Sequence, residues 1–256
     1  MKANRINNVI FGGKVSGIAQ SNGVIDCYLT STQEWESTQG TSSKETQIHT
    51  RIPFAGKLQE GDSLLVKGRL ESATFGGNND STYKATYLFA TEVLGHCGPE
   101  RFLNLNQTIL GGNVGNVEEN ESYSNVALAV TTSRLVDDSW TDTTLWTRLT
   151  CTKKLREQNF KHGISKGDSV SVEGELSSNW YKDSNGNAIN KIDVRINRVI
   201  NHIHRRELDV LKQNGLYGTR QDSSYSGQPQ QPPQNHKPSA QRREFKPNQQ
   251  SSGFNG

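Results

Sequence analysis

The chain has 256 residues, of which 31% are hydrophobic, and a formal net charge of +3. This length accommodates two domains of about 100 residues with their own cores, and the low hydrophobic fraction predicts that part of the chain is disordered. Three cysteines without CxxC spacing favour a reducing compartment over a disulfide framework. No apolar run approaches the roughly 18 residues of a membrane span, and the N-terminus lacks a signal-peptide core. The sequence therefore predicts a cytoplasmic protein without membrane contact.

The sequence repeats internally. Three blocks recur in the same order at offsets of 99, 97 and 106: residues 8–15 as 107–114, residues 49–52 as 146–149, and residues 60–70 as 166–176. An ordered series of this kind indicates a duplication, with insertions in the loops between strands.

Each copy contains short segments with strand periodicity. Val170, Val172 and Leu176 alternate with polar residues, which is typical of a strand with one buried face. Paired glycines at 12–13 and 111–112 predict a sharply coiled first strand, as small barrels need at their corners. About five strands in roughly 100 residues favour a small closed barrel, although the pattern also fits a β-sandwich.

The two copies differ before the Gly-Asp turn that precedes the fourth strand. The second copy inserts residues 154–164, whose apolar spacing predicts one short helix. The first copy crosses the same gap with residues 56–59 and is expected to lack that helix. Later in the second copy, residues 183–187 contain Asn-Gly between two strand-like runs and predict a hairpin tip.

The end of the chain changes character after the second copy. Residues 203–216 are predicted to contain a short helix, and His202 and His204 near its start are expected to be solvated. From about residue 217 the chain holds five of the seven prolines and shows no periodicity, which predicts a disordered, basic, Gln/Pro-rich tail. Neither metal-ligand spacing nor a catalytic motif is found, so the chain is expected to be no enzyme and to use no cofactor or metal.

Residues 108–115 (TILGGNVG), 145–149 (LWTRL) and 174–176 (GEL) follow one another in the second copy, with Trp180 after them. In this ordered series the copy resembles the bacterial-type single-stranded DNA-binding protein family. The segments are similar to that family's opening strand, its Glu-Trp-His-Arg-Val block and its fourth strand with a long hairpin. The first copy resembles the family more distantly.

The resemblance implies two OB-fold domains, as in the tandem variants of this family, in which a homodimer presents four OB folds. The predicted fold class is all-β, with two tandem OB-fold five-stranded β-barrels, a short helix after the second and a disordered C-terminal tail. The expected boundaries are 1–97 for the first OB-fold, 98–105 for a linker, 106–202 for the second OB-fold, 203–216 for the helix and 217–256 for the tail.

The implied function is sequence-independent binding and protection of single-stranded DNA in replication, recombination or repair. Such binding needs flat aromatic platforms beside cations. The predicted DNA-binding residues are Trp35, Arg51, Lys67, Arg69 and Phe75 in the first copy, and Trp140, Trp146, Arg148, Lys153 and Trp180 in the second.

Strand parity supports Trp146 in particular. It shares a strand face with Arg148, opposite the apolar Leu149 and Cys151, so a platform is favoured over a core position. Glu173 and its neighbour Glu175 place negative charge where the first copy has lysine and arginine. The two copies are therefore expected to contribute unequally.

Members of the resembled family usually end in an acidic tip that recruits replication and repair enzymes. The last six residues here (SSGFNG) contain no acid, so recruitment through such a tip is not expected. Two other functions fit the residues: an OB-fold scaffold for protein–protein interaction, and an RNA-binding OB protein.

Overall fold

Ten strands make up most of the computed structural model, which describes residues 5–216 apart from 22, 39, 54–55, 77–80 and 137–138. The first five are β1 (Ile6–Ser21), β2 (Val24–Ser37), β3 (Gly40–Pro53), β4 (Ser63–Gly76) and β5 (Thr82–Cys97). The next are β6 (Leu105–Glu119), β7 (Tyr123–Val136), β8 (Ser139–Thr152), β9 (Ser169–Lys182) and β10 (Ala188–Ile203), with α1 (Lys153–Asn159) after β8 and α2 (Arg205–Gln213) after β10. The predicted disordered tail, 217–256, lies outside the described residues.

Each set of five strands closes into a barrel. β1 pairs with both β2 and β4, while β3 pairs in parallel with β5, which gives the closed order β1-β2-β3-β5-β4. β6 to β10 repeat this connectivity, with β8 parallel to β10 and β9 returning to β6. This is the five-stranded arrangement of an OB-fold. The predicted all-β fold of two barrels is confirmed, and the sandwich alternative is wrong.

The barrel cores follow from the alternation along each strand. In β2, Ile25, Cys27 and Leu29 point inward and are almost fully buried, whereas the residues between them are only partly covered. In β9, Val170 and Val172 are buried as predicted, but Ser169 and Ser171, expected on the outer face, are buried as well. Each buried apolar side chain contributes about 1.5–3 kcal/mol when it leaves water.

The paired glycines allow neighbouring strands to approach closely. A Cβ on Gly13 would lie 2.4 Å from the carbonyl oxygen of Thr30, and one on Gly112 would lie 2.2 Å from that of Ala129. No side chain fits there, because real Cβ atoms do not come within 3.0 Å of such atoms. The first strand of each barrel can therefore cross directly against the second.

The register of the ladders defines which residues of the two barrels are equivalent. The β2–β3 ladder begins with Val24 opposite Pro53, and the β7–β8 ladder begins with Tyr123 opposite Thr152, so both strands share the offset of 99. The match at an offset of 97 is therefore wrong: Gln47, and not His49, is equivalent to Trp146. The offset rises to 106 only for the last two strands of each barrel, after the seven-residue helix α1.

The helix and turn predictions agree with this register. α1 begins at Lys153, one residue before the inserted segment of the second copy, and ends at Asn159, whereas residues 56–62 of the first copy form no helix. Gly186 has a φ of +79° at the predicted hairpin tip between β9 and β10. Neither α1 nor α2 is long and apolar enough to cross a membrane.

The two barrels are joined through their first strands. β1 and β6 pair antiparallel from Ile6 opposite Gly111 to Gly12 opposite Leu105. Val9, at the centre of this ladder, pairs with Thr108, which is the residue equivalent to Val9 in the second barrel. An approximate two-fold axis therefore relates the barrels. The ladder continues one sheet through all ten strands.

A Gly-Asp turn closes each barrel against its last strand. Asp62 accepts a hydrogen bond from His96 Nε2 at 2.9 Å, and Asp168 accepts one from His202 Nε2 at 2.9 Å. The expectation that His202 is solvated is wrong, because its side chain is only 12% exposed and is bound to this carboxylate.

Candidate nucleic-acid interface

Trp146 stands on the outer face of the second barrel. β8 turns Leu149 and Cys151 into the core, so Trp146 faces outward on the same side as Arg148 and is 58% exposed. A Cβ on Gly115 would lie 2.3 Å from Cζ3 of the indole, which means that the ring lies directly on the β6 backbone. The predicted facing of Trp146 is confirmed. The absence of a side chain at Gly115 leaves room for the edge of the indole, which stays exposed.

A shallow cavity of about 260 Å³ surrounds this ring, and we call its lining the Trp146 surface: Asn116, Glu118, Asn125, Ala127, Trp146, Thr147, Arg148 and Lys191. The Arg148 guanidinium forms an ion pair with the nearly buried Asp193, and Lys191 Nζ lies 4.0 Å from the same carboxylate. The carboxylate holds both cations beside the indole.

The equivalent face of the first barrel carries an aromatic cluster, formed by Tyr28, His49, Phe75, Tyr83 and Tyr87. Phe75 and Tyr83 stack with their centroids 5.8 Å apart and an interplanar angle of 26°. His49 contacts Tyr28, Phe75 and Tyr87 with centroid separations between 5.4 and 5.9 Å. Burial lowers the pKa of His49 even though Asp26 opposes this shift, so its ring stays neutral at neutral pH.

The arginines predicted in the first barrel are anchored by carboxylates and aromatic rings. Arg51 donates two hydrogen bonds to Asp26, at 3.0 and 3.2 Å, and lies 5.3 Å from the centroid of Tyr87. Arg69 binds Glu71 at 2.7 Å and lies 4.8 Å from the ring centroid of Phe89. Lys67 is exposed on the same face of β4. Arg51 and Phe75 therefore belong to one surface through their contacts with Tyr87.

Trp180 contacts the first barrel, although it belongs to the second. It lies on β9 of the second barrel, yet its Nε1 donates to Gln47 Oε1 of the first barrel at 3.2 Å. Its ring centroid is 5.7 Å from that of Tyr28, and the side chain is still 47% exposed. The β9–β10 hairpin thus joins the two barrel faces.

Trp35 lines a separate, larger cavity of about 580 Å³ near the end of the β2–β3 hairpin. Lys44 and Arg195 line it too, so this tryptophan shares its cavity with a cation from the second barrel. Glu34 and Glu175 are also part of the lining, and the cavity is close to electrically neutral.

The remaining predicted residues lie at opposite ends of β8. Trp140 follows the first residue of that strand and is 64% exposed, about 20 Å from Trp146 for six extended residues. Lys153 begins α1 directly after the strand, with its Nζ 4.0 Å from Glu157. Neither stands beside the Trp146 ring.

The acidic pair on β9 is compensated by arginines on β10. Arg198 binds Glu173, and Arg195 lies 4.0 Å from Glu175. The hydrogen bond from Arg198 lowers the pKa of Glu173. The negative charge expected on this strand is thus largely neutralised.

The sequence prediction missed Tyr28, His49, Tyr83 and Gly115. Parity was the available signal for Tyr28 and His49, since they alternate with the buried core residues of β2 and β3. Their convergence with Phe75 required the ladder register. Within the described ranges, no group of three or more His, Cys, Asp and Glu residues could hold a metal ion.

One family model and several solved structures are similar to this chain. The model of the single-strand binding protein family matches residues 105–201. No curated protein matches the chain.

Among solved structures, a deletion mutant of the single-stranded DNA binding protein from Thermus aquaticus is similar, with a TM-score of 0.54 and 19% identity, over 78% of this chain and 96% of that one. A Plasmodium falciparum protein of this kind in complex with single-stranded DNA has a TM-score of 0.29 and 19% identity, over 36% and 91%. A small single-stranded DNA-binding protein from Streptomyces coelicolor has a TM-score of 0.30 and 20% identity, over 40% and 95%.

Proposed function

We propose that this chain, whose residues 105–201 match the model of the single-strand binding protein family, binds single-stranded DNA without sequence preference and protects it during replication, recombination or repair. Proteins of this family bind DNA and are not enzymes. The observation that carries the mechanism is the Trp146 surface, where an exposed indole lies beside two cations.

The indole of Trp146 suits bases of any sequence. Every base has a flat π-face, and stacking on an aromatic side chain contributes about 1–3 kcal/mol per base by alanine substitution. Because the edge of the ring abuts Gly115, the indole is held against the β6 backbone while its side chain remains mostly exposed. The platform is formed before the strand arrives, so little side-chain entropy is lost on binding.

Arg148 and Lys191 would contact the phosphates of a strand whose base stacks on Trp146, because both line the same surface as that ring. Asp193 orients both cations but also offsets part of their charge, and Glu118 lines the same surface. We therefore expect few net phosphate contacts and a shallow salt dependence, since the slope of log affinity against log salt scales as about −0.7 per neutralised phosphate on single strands.

A titration with poly-dT tests the proposal. Tryptophan emission of the full chain should be quenched at low salt, and the affinity should fall as salt rises. Competition with poly-dA tests sequence independence, and competition with poly-U separates DNA binding from the RNA-binding alternative. Unchanged emission and no retention of labelled poly-dT at low salt would sink the proposal.

A homodimer that presents four OB folds is a separate proposal, made on the resemblance to tandem members of the family. Each chain supplies two barrels, so two chains would supply four. Sedimentation equilibrium of the full chain should give twice the chain mass of 28.4 kDa. A single-chain mass at micromolar concentration would contradict it.

A further inference from the structure

The Trp146 surface has a counterpart on the first barrel that lacks its own tryptophan. The two-fold relation places Gln47 at the position of Trp146 and Tyr28 at the position of Ala127. The first barrel therefore has a glutamine where the second has its platform. Its nearest outward aromatic on β2 is Tyr28.

Trp180 of the second barrel lies against Gln47 and Tyr28 of the first barrel. Its Nε1 donates to the side-chain oxygen of Gln47 at 3.2 Å, and its ring leans on Tyr28 with centroids 5.7 Å apart at 54°. With 47% of the side chain exposed, a substantial part of the indole remains available to a ligand.

The strands of the β9–β10 hairpin hold Trp180 in place over the first barrel. The Gln47 backbone N–H donates to Ser178 Oγ at 2.9 Å, and Asn190 Nδ2 donates to the Gln47 carbonyl at 2.6 Å. Lys44 Nζ donates to Ser177 Oγ at 2.8 Å. Three hydrogen bonds between the barrels thus flank the indole, which makes its position a property of the fold.

The Tyr28 ring also contacts the first strand of its barrel. A Cβ on Gly17 would lie 3.1 Å from Cδ2 of Tyr28, so the edge of this ring contacts β1 at a glycine. Tyr28 contacts the rest of the aromatic cluster through His49. The nearby cation is Arg51, which lies 5.3 Å from the ring centroid of Tyr87.

We infer that Tyr28 and Trp180 form a second stacking surface for single-stranded DNA, in which the first barrel borrows its tryptophan from the second. We call this pair the shared surface. The inference rests on the proposed function and deepens it, because it assigns a binding site to the barrel that the family model does not reach. A strand held at both surfaces would contact the two barrels of one chain together.

Two single-tryptophan proteins test this separately from the proposed function. Trp35→Phe, Trp140→Phe and Trp146→Phe together leave only Trp180, and Trp35→Phe, Trp140→Phe and Trp180→Phe together leave only Trp146. All four side chains are exposed, so the fold should persist. An oligo-dT of about 30 nucleotides, long enough for two OB folds, should quench the emission of both proteins.

Quenching of Trp146 without quenching of Trp180 would overturn the shared surface and leave the proposed function standing. If neither emission changes and labelled oligo-dT is not retained, both fail.

Tyr28→Ala in the Trp180-only protein tests the pairing itself. It should weaken binding of the oligo-dT to Trp180 by about fivefold or more, while Tyr28→Phe, which keeps the ring, should stay close to the parent. The matched control is Tyr28→Ala in the Trp146-only protein, where binding of a short oligo-dT at Trp146 should hardly change. Melting temperatures identify any loss of folding. If the Tyr28→Ala and Tyr28→Phe variants of the Trp180-only protein bind oligo-dT with equal affinity, the inference is overturned.

Discussion

The two barrels share their strand order and ladder register but differ on their outer faces. The second barrel shows one isolated tryptophan supported by Gly115 and flanked by cations that Asp193 holds. The first shows a packed cluster of five aromatic rings, with glutamine at the tryptophan position. The same backbone thus carries two different surfaces, because the inward residues maintain the barrel and the outward ones are free to change.

The family model matches the second copy and not the first. Residues 105–201 of the second copy retain the outward tryptophan and the Gly-Asn run, whereas the first copy retains mainly the buried alternation. Buried alternation is shared by many β-proteins, so it preserves the fold without preserving a recognisable family pattern. Each of the following predictions tests or sharpens this comparison.

The largest expected effect concerns the Gly-Asp turns. Asp168 is fully buried and accepts from three donors, the backbone N–H groups of Ser165 and Arg205 and the Nε2 of His202. Asp168→Ala should lower the free energy of unfolding by about 2–4 kcal/mol, because buried donors lose their acceptor. Asp62→Ala should cost about 1–2 kcal/mol, since fewer donors meet a slightly exposed carboxylate. Urea unfolding followed by circular dichroism measures both, and equal losses would contradict the ranking.

The second-largest expected effect is that of Trp146, the proposed platform of the second barrel, on DNA affinity. Trp146→Ala should weaken poly-dT binding by about 1–3 kcal/mol, because one stacked base is lost. Trp146→Phe should recover most of the loss. Val210→Ala, which removes an exposed apolar side chain from α2, serves as the control and should leave the affinity unchanged. A Trp146→Ala protein that binds like the parent would show that the second barrel's isolated tryptophan is not its platform.

A smaller effect is expected from Gly115→Ala. The new methyl group would overlap the Trp146 ring, so the indole has to leave its position on β6. Poly-dT affinity should fall by about 0.5–2 kcal/mol, part of the stacking contribution. In a Trp146→Ala background the same change should have little effect, since the ring it displaces is gone. Additive losses in the double variant would contradict the supporting role of this glycine.

The smallest expected effect is on the acid stability of both turns. Burial alone would raise the pKa of Asp168, but hydrogen bonds from His202 and the backbone bring it below its ordinary value. The hydrogen bond from His96 lowers the pKa of Asp62. A lowered folded-state pKa stabilises the protein above the unfolded value of about 3.9, and this contribution is lost as the pH falls through the folded pKa.

The unfolding free energy should therefore decrease from about pH 4 downward. Asp62→Asn and Asp168→Asn, combined in one chain, should make this decrease shallower. The measurement is urea unfolding at a series of pH values. A parent protein whose stability does not change in that range would contradict the assignment.

Much of the fold was predictable because its signals are local. Alternation of buried and exposed residues gave the strands, and the ordered blocks gave the duplication, including the helix present only in the second copy. The site was predicted less completely. Trp146 and Arg148 stand together as parity required, but the aromatic cluster and the role of His202 were not recognised. Those contacts join strands whose mutual register no sequence block specifies.

The sequence by itself determined two β-barrels, which residues face their cores, and an outward tryptophan on the second barrel, because a period of two is a property of each strand alone. Only the tertiary structure decided that Gln47 is equivalent to Trp146 and that Trp180 lies against Tyr28 of the other barrel. Both depend on strand register and on the β1–β6 pairing, which bring distant parts of the chain together. The relation between the two barrels therefore appears only when all ten strands are assembled.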